Sequence, residues 1–176
     1  MSDVIETIKK RSSTRGYTEE PLTEAELDAL LHAGLQAPTA ANKQEIHFTV
    51  LDGGHPILRE LEEEKNRLRN ITAPAHNFYF EAPVVVILSA DSSYKWSALD
   101  AGIAVENMAL AAEGLGLGNL IIGCIDDAIK GEKKEYFTTA LKFPENYEYK
   151  IAIAFGHKGV TKEPHTYQAQ AQVTYL

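Results

Sequence analysis

One run, Ala82-Pro83-Val84-Val85-Val86-Ile87-Leu88, constrains the fold of this chain more than any other stretch. Its β-branched residues follow one another without polar alternation, so neither face can be left to water. The run reads as a central strand covered on both sides of its sheet. At seven residues it is well short of the ~20 that a membrane-spanning helix needs. The stretch from Trp96 to Leu115 adds a second constraint. It carries Leu99, Ala101, Ile103, Ala104, Val105, Met108, Ala109, Leu110, Ala111 and Ala112, apolar on nearly every side, and predicts a long helix in the middle of the fold. A strand and a helix of this kind satisfy each other in a layered arrangement of sheet and helices.

The remaining elements follow from periodicity and punctuation. Val4, Ile5 and Ile8 recur at helical spacing and predict a short amphipathic helix that runs out at Arg11. Thr23 followed by Glu26 is a capping box, and Leu27, Leu30, Leu31 and Leu35 give the helix over 24–36 one apolar face. His47 to Leu51 reads as a strand closed by Asp52-Gly53-Gly54, and Ile57, Leu58 and Leu61 form the inner face of a charged helix over 56–68. Residues 70–79 read as loop or helix. The glycines of Gly114-Leu115-Gly116-Leu117-Gly118 stop the long helix before a strand over 119–124. That order, helix then glycines then strand, is the reverse of a dinucleotide-binding turn. Asp126-Asp127 caps a helix through Leu141, and 147–155 reads as a further strand. Nothing repeats and no low-complexity linker divides the chain, so residues 1–176 are expected to form one α+β domain with several strands and four or five helices. Residues 158–176 form a polar C-terminal extension with a strand-like end, Val173-Thr174-Tyr175-Leu176, which either folds back or reaches a second subunit.

Charge and composition exclude several functions. With 17 Lys and Arg against 25 Asp and Glu the net charge is −8, so a nucleic-acid footprint is not expected and any anion site must be a local concentration of cations. Cys124 stands alone, which excludes an internal disulfide and suits a reducing compartment. The acidic start lacks the basic and apolar regions of a signal peptide, and a soluble, cytoplasmic protein is expected. The six histidines show no metal-binding spacing, and no G-x-S-x-G elbow or other catalytic side-chain set is present.

The cations do concentrate in one place. Arg11-Ser12-Ser13-Thr14-Arg15, preceded by Lys9 and Lys10, pairs two guanidinium groups with three hydroxyls where the first helix ends. Arg presents a planar fork of donors suited to a phosphate or a polarised carbonyl, although the same string alone also reads as a solvated basic turn. A second polar cluster, Pro38-Thr39-Ala40-Ala41-Asn42-Lys43-Gln44, ends the second helix. Together the two clusters resemble the nitroreductase family of flavoproteins. Arg11, Ser13, Arg15 and Tyr17 match its R-x-S-x-R-x-aromatic pattern, and Ala37, Pro38, Thr39, Asn42 and Gln44 match its A-P-S-x-x-N-x-Q pattern. Ala82 to Val86 resembles its A-P-V-V-I strand, and residues 100–122 resemble its long dimer helix, L-G-L-G turn and following strand. The resemblance covers residues 3–157.

The resemblance implies a central mixed β-sheet flanked by helices, in an intertwined homodimer with FMN sites at the subunit interface. Arg11, Ser12, Ser13 and Arg15 would hold FMN, Arg11 towards the phosphate and Arg15 towards the pyrimidine edge of the ring. Pro38, Thr39, Ala40 and Asn42 would come from the partner subunit, Ile122 and Gly123 would line the ring, and Asn77 falls near a flavin-contacting position. It also implies an FMN-dependent oxidoreductase that takes hydride from NADH or NADPH and reduces a nitroaromatic, a quinone or a similar acceptor by a ping-pong mechanism. The alternative is a flavin-binding or redox-sensing protein with little turnover. Two departures stand out. Gln44-Glu45-Ile46 replaces the Q-P-W of many relatives, and the family's C-terminal arginine is missing, with Lys162 and His165 the nearest substitutes.

Overall fold

The computed structural model describes residues 3–163, 166 and 172–176. His165 lies outside the described residues. Strands β1 (His47–Asp52), β2 (Val84–Asp91), β3 (Leu117–Ile122) and β4 (Tyr147–His157) form one sheet in the spatial order β1-β2-β4-β3. Every pairing between them is antiparallel. Of the mixed sheet that the family resemblance implies, the parallel part among the described residues is the isolated bridge between Ser13 and Asn119. The N-terminal segment touches the edge of β3 there without forming a ladder.

The apolar run behaves as its composition demands. β2 is interior, and its side chains alternate between two cores. Val85 and Ile87 join Ile57, Leu58, Leu61, Phe137 and Tyr149 on one side. Val86 and Leu88 join Leu30, Ala101, Val105, Met108 and Phe155 on the other. All four strand residues are fully buried, each contributing about 1.5–3 kcal/mol of apolar burial.

Helices α2 (Glu24–Leu35) and α4 (Ser97–Gly114) cover the second core, and α3 (Pro56–Arg69), α5 (Asp126–Lys130) and α6 (Lys134–Ala140) cover the first. The Thr23 capping box forms at α2: Thr23 Oγ1 accepts the Glu26 N–H at 3.2 Å and Glu26 Oε2 accepts the Thr23 N–H at 2.8 Å. The single helix expected over 126–141 is split, because the chain becomes extended at Gly131 (φ −80°, ψ −150°). Residues 70–79 form turns rather than helix, and Val173–Leu176 is exposed and outside the sheet.

The helix α4 differs from its expected central position. Ala101, Ala104, Val105, Met108 and Ala112 face the sheet and α2, while Leu99 and Ile103 face outward, 61% and 38% exposed. Besides the sheet and α2, the N-terminal helix touches α4, and among the described residues nothing covers Leu99 or Ile103 fully. Gly116, at φ 76°, makes the left-handed turn from α4 into β3. No helix among the described residues is long and apolar enough to cross a membrane.

After α1 (Asp3–Lys10) the chain runs extended past the edge of β3 and the end of β4. The Thr14 N–H bonds to the Asn119 carbonyl at 2.7 Å, the Thr18 N–H to the His157 carbonyl at 3.0 Å, and the Gly159 N–H to the Gly16 carbonyl at 2.9 Å. Thr14 is buried against Gly118, where an added Cβ would sit 2.8 Å from Thr14 Cγ2. Gly118→Ala should therefore destabilise the protein by about 1–3 kcal/mol in urea unfolding and speed hydrogen exchange at the Thr14 amide. An unchanged midpoint with a protected amide would show that this contact does not hold the segment.

Candidate functional site

The extended segment brings Ser12 and Ser13 against the residues that follow β4. Lys10, Ser12, Ser13, Thr14, Lys158, Val160, Thr161 and Lys162 line a cleft together with Glu113 and Glu163. Three lysines against two glutamates leave one net positive charge at the cleft, in a chain whose total is −8. Lys158 Nζ lies 2.8 Å from Glu113 Oε2, with the two side chains 22% and 9% exposed, so the lysine is held at the cleft by an ion pair largely withdrawn from water. The cleft holds about 210 Å³, below the ~300–1,000 Å³ of sites that enclose a whole small molecule. Its size, hydroxyls and lysines suit a phosphate group.

The other expected residues are distributed around this cleft rather than gathered in it. Arg11 continues the hydrogen bonding of α1 through its N–H to Thr7, at 2.9 Å, and its Nε lies 3.8 Å from Glu106 Oε1 on α4. Arg15 is exposed, with its guanidinium 5.9 Å from the centroid of the Phe80 ring. Burial pushes the neighbouring Tyr17 phenol up, against the opposing charge of Arg15, so Tyr17 stays neutral. Lys162, the nearest substitute for the missing arginine, lines the cleft.

Asn77 is engaged locally. Its Oδ1 accepts the N–H groups of Tyr79 and Glu81 at 3.1 and 3.0 Å, shaping the turn before β2, and it lines a different cleft with Tyr17, Asp52 and Glu81. Ile122 is buried at the end of β3, where its carbonyl accepts the Tyr149 hydroxyl at 2.7 Å. Gly123 is exposed, and an added Cβ would meet nothing nearer than Ile151 Cδ1 at 3.9 Å. The chain's own packing therefore does not require glycine there, which fits a position approached by a ligand from outside. Ile122 stands three residues beyond Asn119, the residue bridged to Ser13, roughly 10 Å along the strand. An elongated ligand with its anionic end among the lysines and its ring near Gly123 would follow this sheet edge.

Of Pro38, Thr39, Ala40 and Asn42, Ala40 is tied to the start of α4. Ala40–Asn42 form a single 3₁₀ turn that leads into β1. The Ala40 N–H bonds to Asp100 Oδ2 at 3.0 Å, and the Tyr94 hydroxyl donates to the Ala40 carbonyl at 2.9 Å. Among the described residues none of 38–44 lines the lysine cleft. Glu113, Lys158, Val160 and Thr161 are among the cleft residues that sequence reasoning did not single out. A basic residue just past the last strand was the available signal, but its meaning depends on β4 ending beside Tyr17.

A sequence profile of the nitroreductase family matches residues 8–157. The chain belongs to the nitroreductase family. It is 29% identical to the FMN reductase [NAD(P)H] of Bacillus subtilis, over 100% of this chain and 76% of that protein. It is 32% identical to a putative NADH dehydrogenase/NAD(P)H nitroreductase of Methanothermobacter thermautotrophicus, over 75% of this chain and 68% of that one. Among solved structures, a nitroreductase with bound FMN from Bacteroides fragilis superposes with a TM-score of 0.88 at 30% identity, covering 100% of both chains. One from Desulfitobacterium hafniense, also with bound FMN, gives 0.87 at 27% identity, covering 100% of this chain and 99% of that one.

Phosphate recognition by the cleft has a direct test. In a Glu113→Gln background, where removing Lys158 strands no paired carboxylate, Lys158→Gln should weaken FMN binding about tenfold through the loss of one charged hydrogen bond. Riboflavin, which lacks the phosphate, should bind the two proteins equally in calorimetric titration. Equal loss for both ligands would remove Lys158 from the phosphate site.

Proposed function

We propose that the protein is an FMN-dependent oxidoreductase that takes hydride from NADH or NADPH and passes reducing equivalents to a nitroaromatic, a quinone or a similar small acceptor in a ping-pong cycle. The observation that carries this reading is the lysine and hydroxyl cleft at one end of the β3 edge with the open backbone of Gly123 at the other. When bound, FMN supplies the hydride chemistry. The residues of this chain then bind and orient. Ser12, Ser13, Lys158 and Lys162 hold the phosphate, with Arg11 adding charge from the end of α1. Arg15 supplies a cation for the pyrimidine edge, where negative charge accumulates on reduction, and Gly123 leaves the ring face accessible. No nucleophile or metal is assigned to the cycle, and donor and acceptor occupy the ring face in turn.

The same reading makes the functional unit a homodimer. Leu99 and Ile103 on the outer face of α4, with Val4, Ile5 and Ile8 on α1, expose apolar surface that a second copy would cover. The turn at 38–42 would then complete the flavin site of the partner subunit.

Purified protein should show flavin absorbance bands, taking up added FMN if isolated without it. In anaerobic stopped-flow mixing, NADH or NADPH should bleach those bands, and a quinone or nitroaromatic should restore them. Failure to take up FMN would overturn the reading, and bound flavin that stays oxidised would establish a flavin-binding protein with little turnover.

A further inference from the structure

The turn over 40–44 carries unusual backbone: Ala41, Asn42 and Gln44 have left-handed φ values of 55°, 53° and 52°. Asn tolerates this region, but alanine and glutamine adopt it only where their surroundings impose it. The bonds from Asp100 and Tyr94 to Ala40 supply part of that hold, and Thr39 Oγ1 adds a bond from the Gln44 N–H at 2.9 Å. Directly after the turn comes Glu45, 9% exposed, beside Asp100, 3% exposed. Neither Glu45 carboxyl oxygen has a hydrogen-bond partner among the described residues.

Two ionised carboxylates are both acceptors, so in that state they repel and Glu45 stays unsatisfied. A single proton between them removes the repulsion and creates a donor. We propose that Glu45 is a positioning residue: its carboxyl, retained as the acid, donates to Asp100, which holds Ala40 and so keeps the 40–44 turn in shape for the flavin site. Burial, foremost, and the charge of Asp100 push the Glu45 carboxyl up, against its own backbone amide and Lys43. The groups facing the pair are thus Asp100 on α4, Lys43 on the turn and Tyr94 before α4, with Lys43 Nζ itself 4.1 Å from the centroid of the Tyr94 ring.

The sign of the pH dependence follows. The folded chain keeps a proton that the unfolded chain gives up in the ordinary glutamate range, so this contribution to stability is complete below that range and is lost as pH rises through the higher folded value. The inference rests on reading the turn as half of a flavin site, and two measurements separate it from that reading. In flavin-free protein, the thermal midpoint is followed from about pH 5 to about pH 8.5, a window starting just above the ordinary glutamate value. Wild type should lose stability with rising pH relative to Glu45→Gln and Asp100→Asn, because each amide donates across the pair at every pH. In flavin-loaded protein, the FMN dissociation constant of wild type relative to that of Glu45→Gln, from fluorescence quenching, should rise by up to about tenfold per pH unit as the turn is released, the titration of the FMN phosphate being common to both proteins. Superimposable unfolding profiles for wild type and Glu45→Gln would overturn the proposal. So would a flavin affinity with the same pH dependence in both proteins. If no variant takes up FMN at any pH, the flavin reading fails and the unfolding profiles still decide whether Glu45 holds the turn.

Discussion

The hydrogen bond from the Thr14 amide to the Asn119 carbonyl, 2.7 Å long, ties the N-terminal segment to the edge of the sheet, and the candidate site depends on it. That tie lays Ser12 and Ser13 along β3, and the bonds from Thr18 to His157 and from Gly159 to Gly16 bring the same segment against the residues after β4. The bond forms because Gly118 lets Thr14 pack onto β3 with no side chain between them. Asn119 then anchors the assembly from within. It is fully buried, and its Nδ2 donates to the Ala109 carbonyl of α4 at 3.3 Å. Strand, helix and binding segment are thereby fixed to one another around a single residue.

The helix α4 distributes this order. Glu106 faces Arg11 near the cleft, Asp100 holds Ala40 at the turn, and Glu113 holds Lys158. One face of the helix is committed to the core by Ala101, Val105 and Met108, and the opposite face presents Leu99 and Ile103. The two motifs of the family therefore meet the same helix at different points without sharing a cleft in one chain. That separation is what a site completed by a second copy requires.

Most of the fold was legible because its signals are local. The run ending in Leu88 states its own burial on both faces, and the Thr23 capping box and the glycines after α4 mark their own boundaries. The split between α5 and α6 was missed because one glycine in a helix costs only about 1 kcal/mol, too little to decide a boundary from sequence. The outer face of α4 misled for a different reason: an apolar face reads the same whether it meets its own core or another molecule. Of the cleft's lining, Ser12 and Ser13 stood out in the sequence by residue type and family pattern, and Lys162 as the nearest cation where the family's arginine is missing. Lys158 did not, since its place follows from the meeting of the 16–18 segment with residues 157–159, a contact between distant parts of the chain. Asn77, marked by pattern, uses its oxygen to shape its own loop, a local role that the pattern does not show.

If the cleft beside β3 holds the FMN phosphate, phosphorus NMR of the FMN-loaded protein observes that group directly. Free in solution, a phosphate monoester takes up its second proton near pH ~6. In the cleft, lysines and hydroxyls should keep it dianionic, so its resonance should be shifted from that of free FMN and stay constant down to about pH 5. A resonance that titrates as it does for free FMN would place the phosphate in solvent and contradict the site.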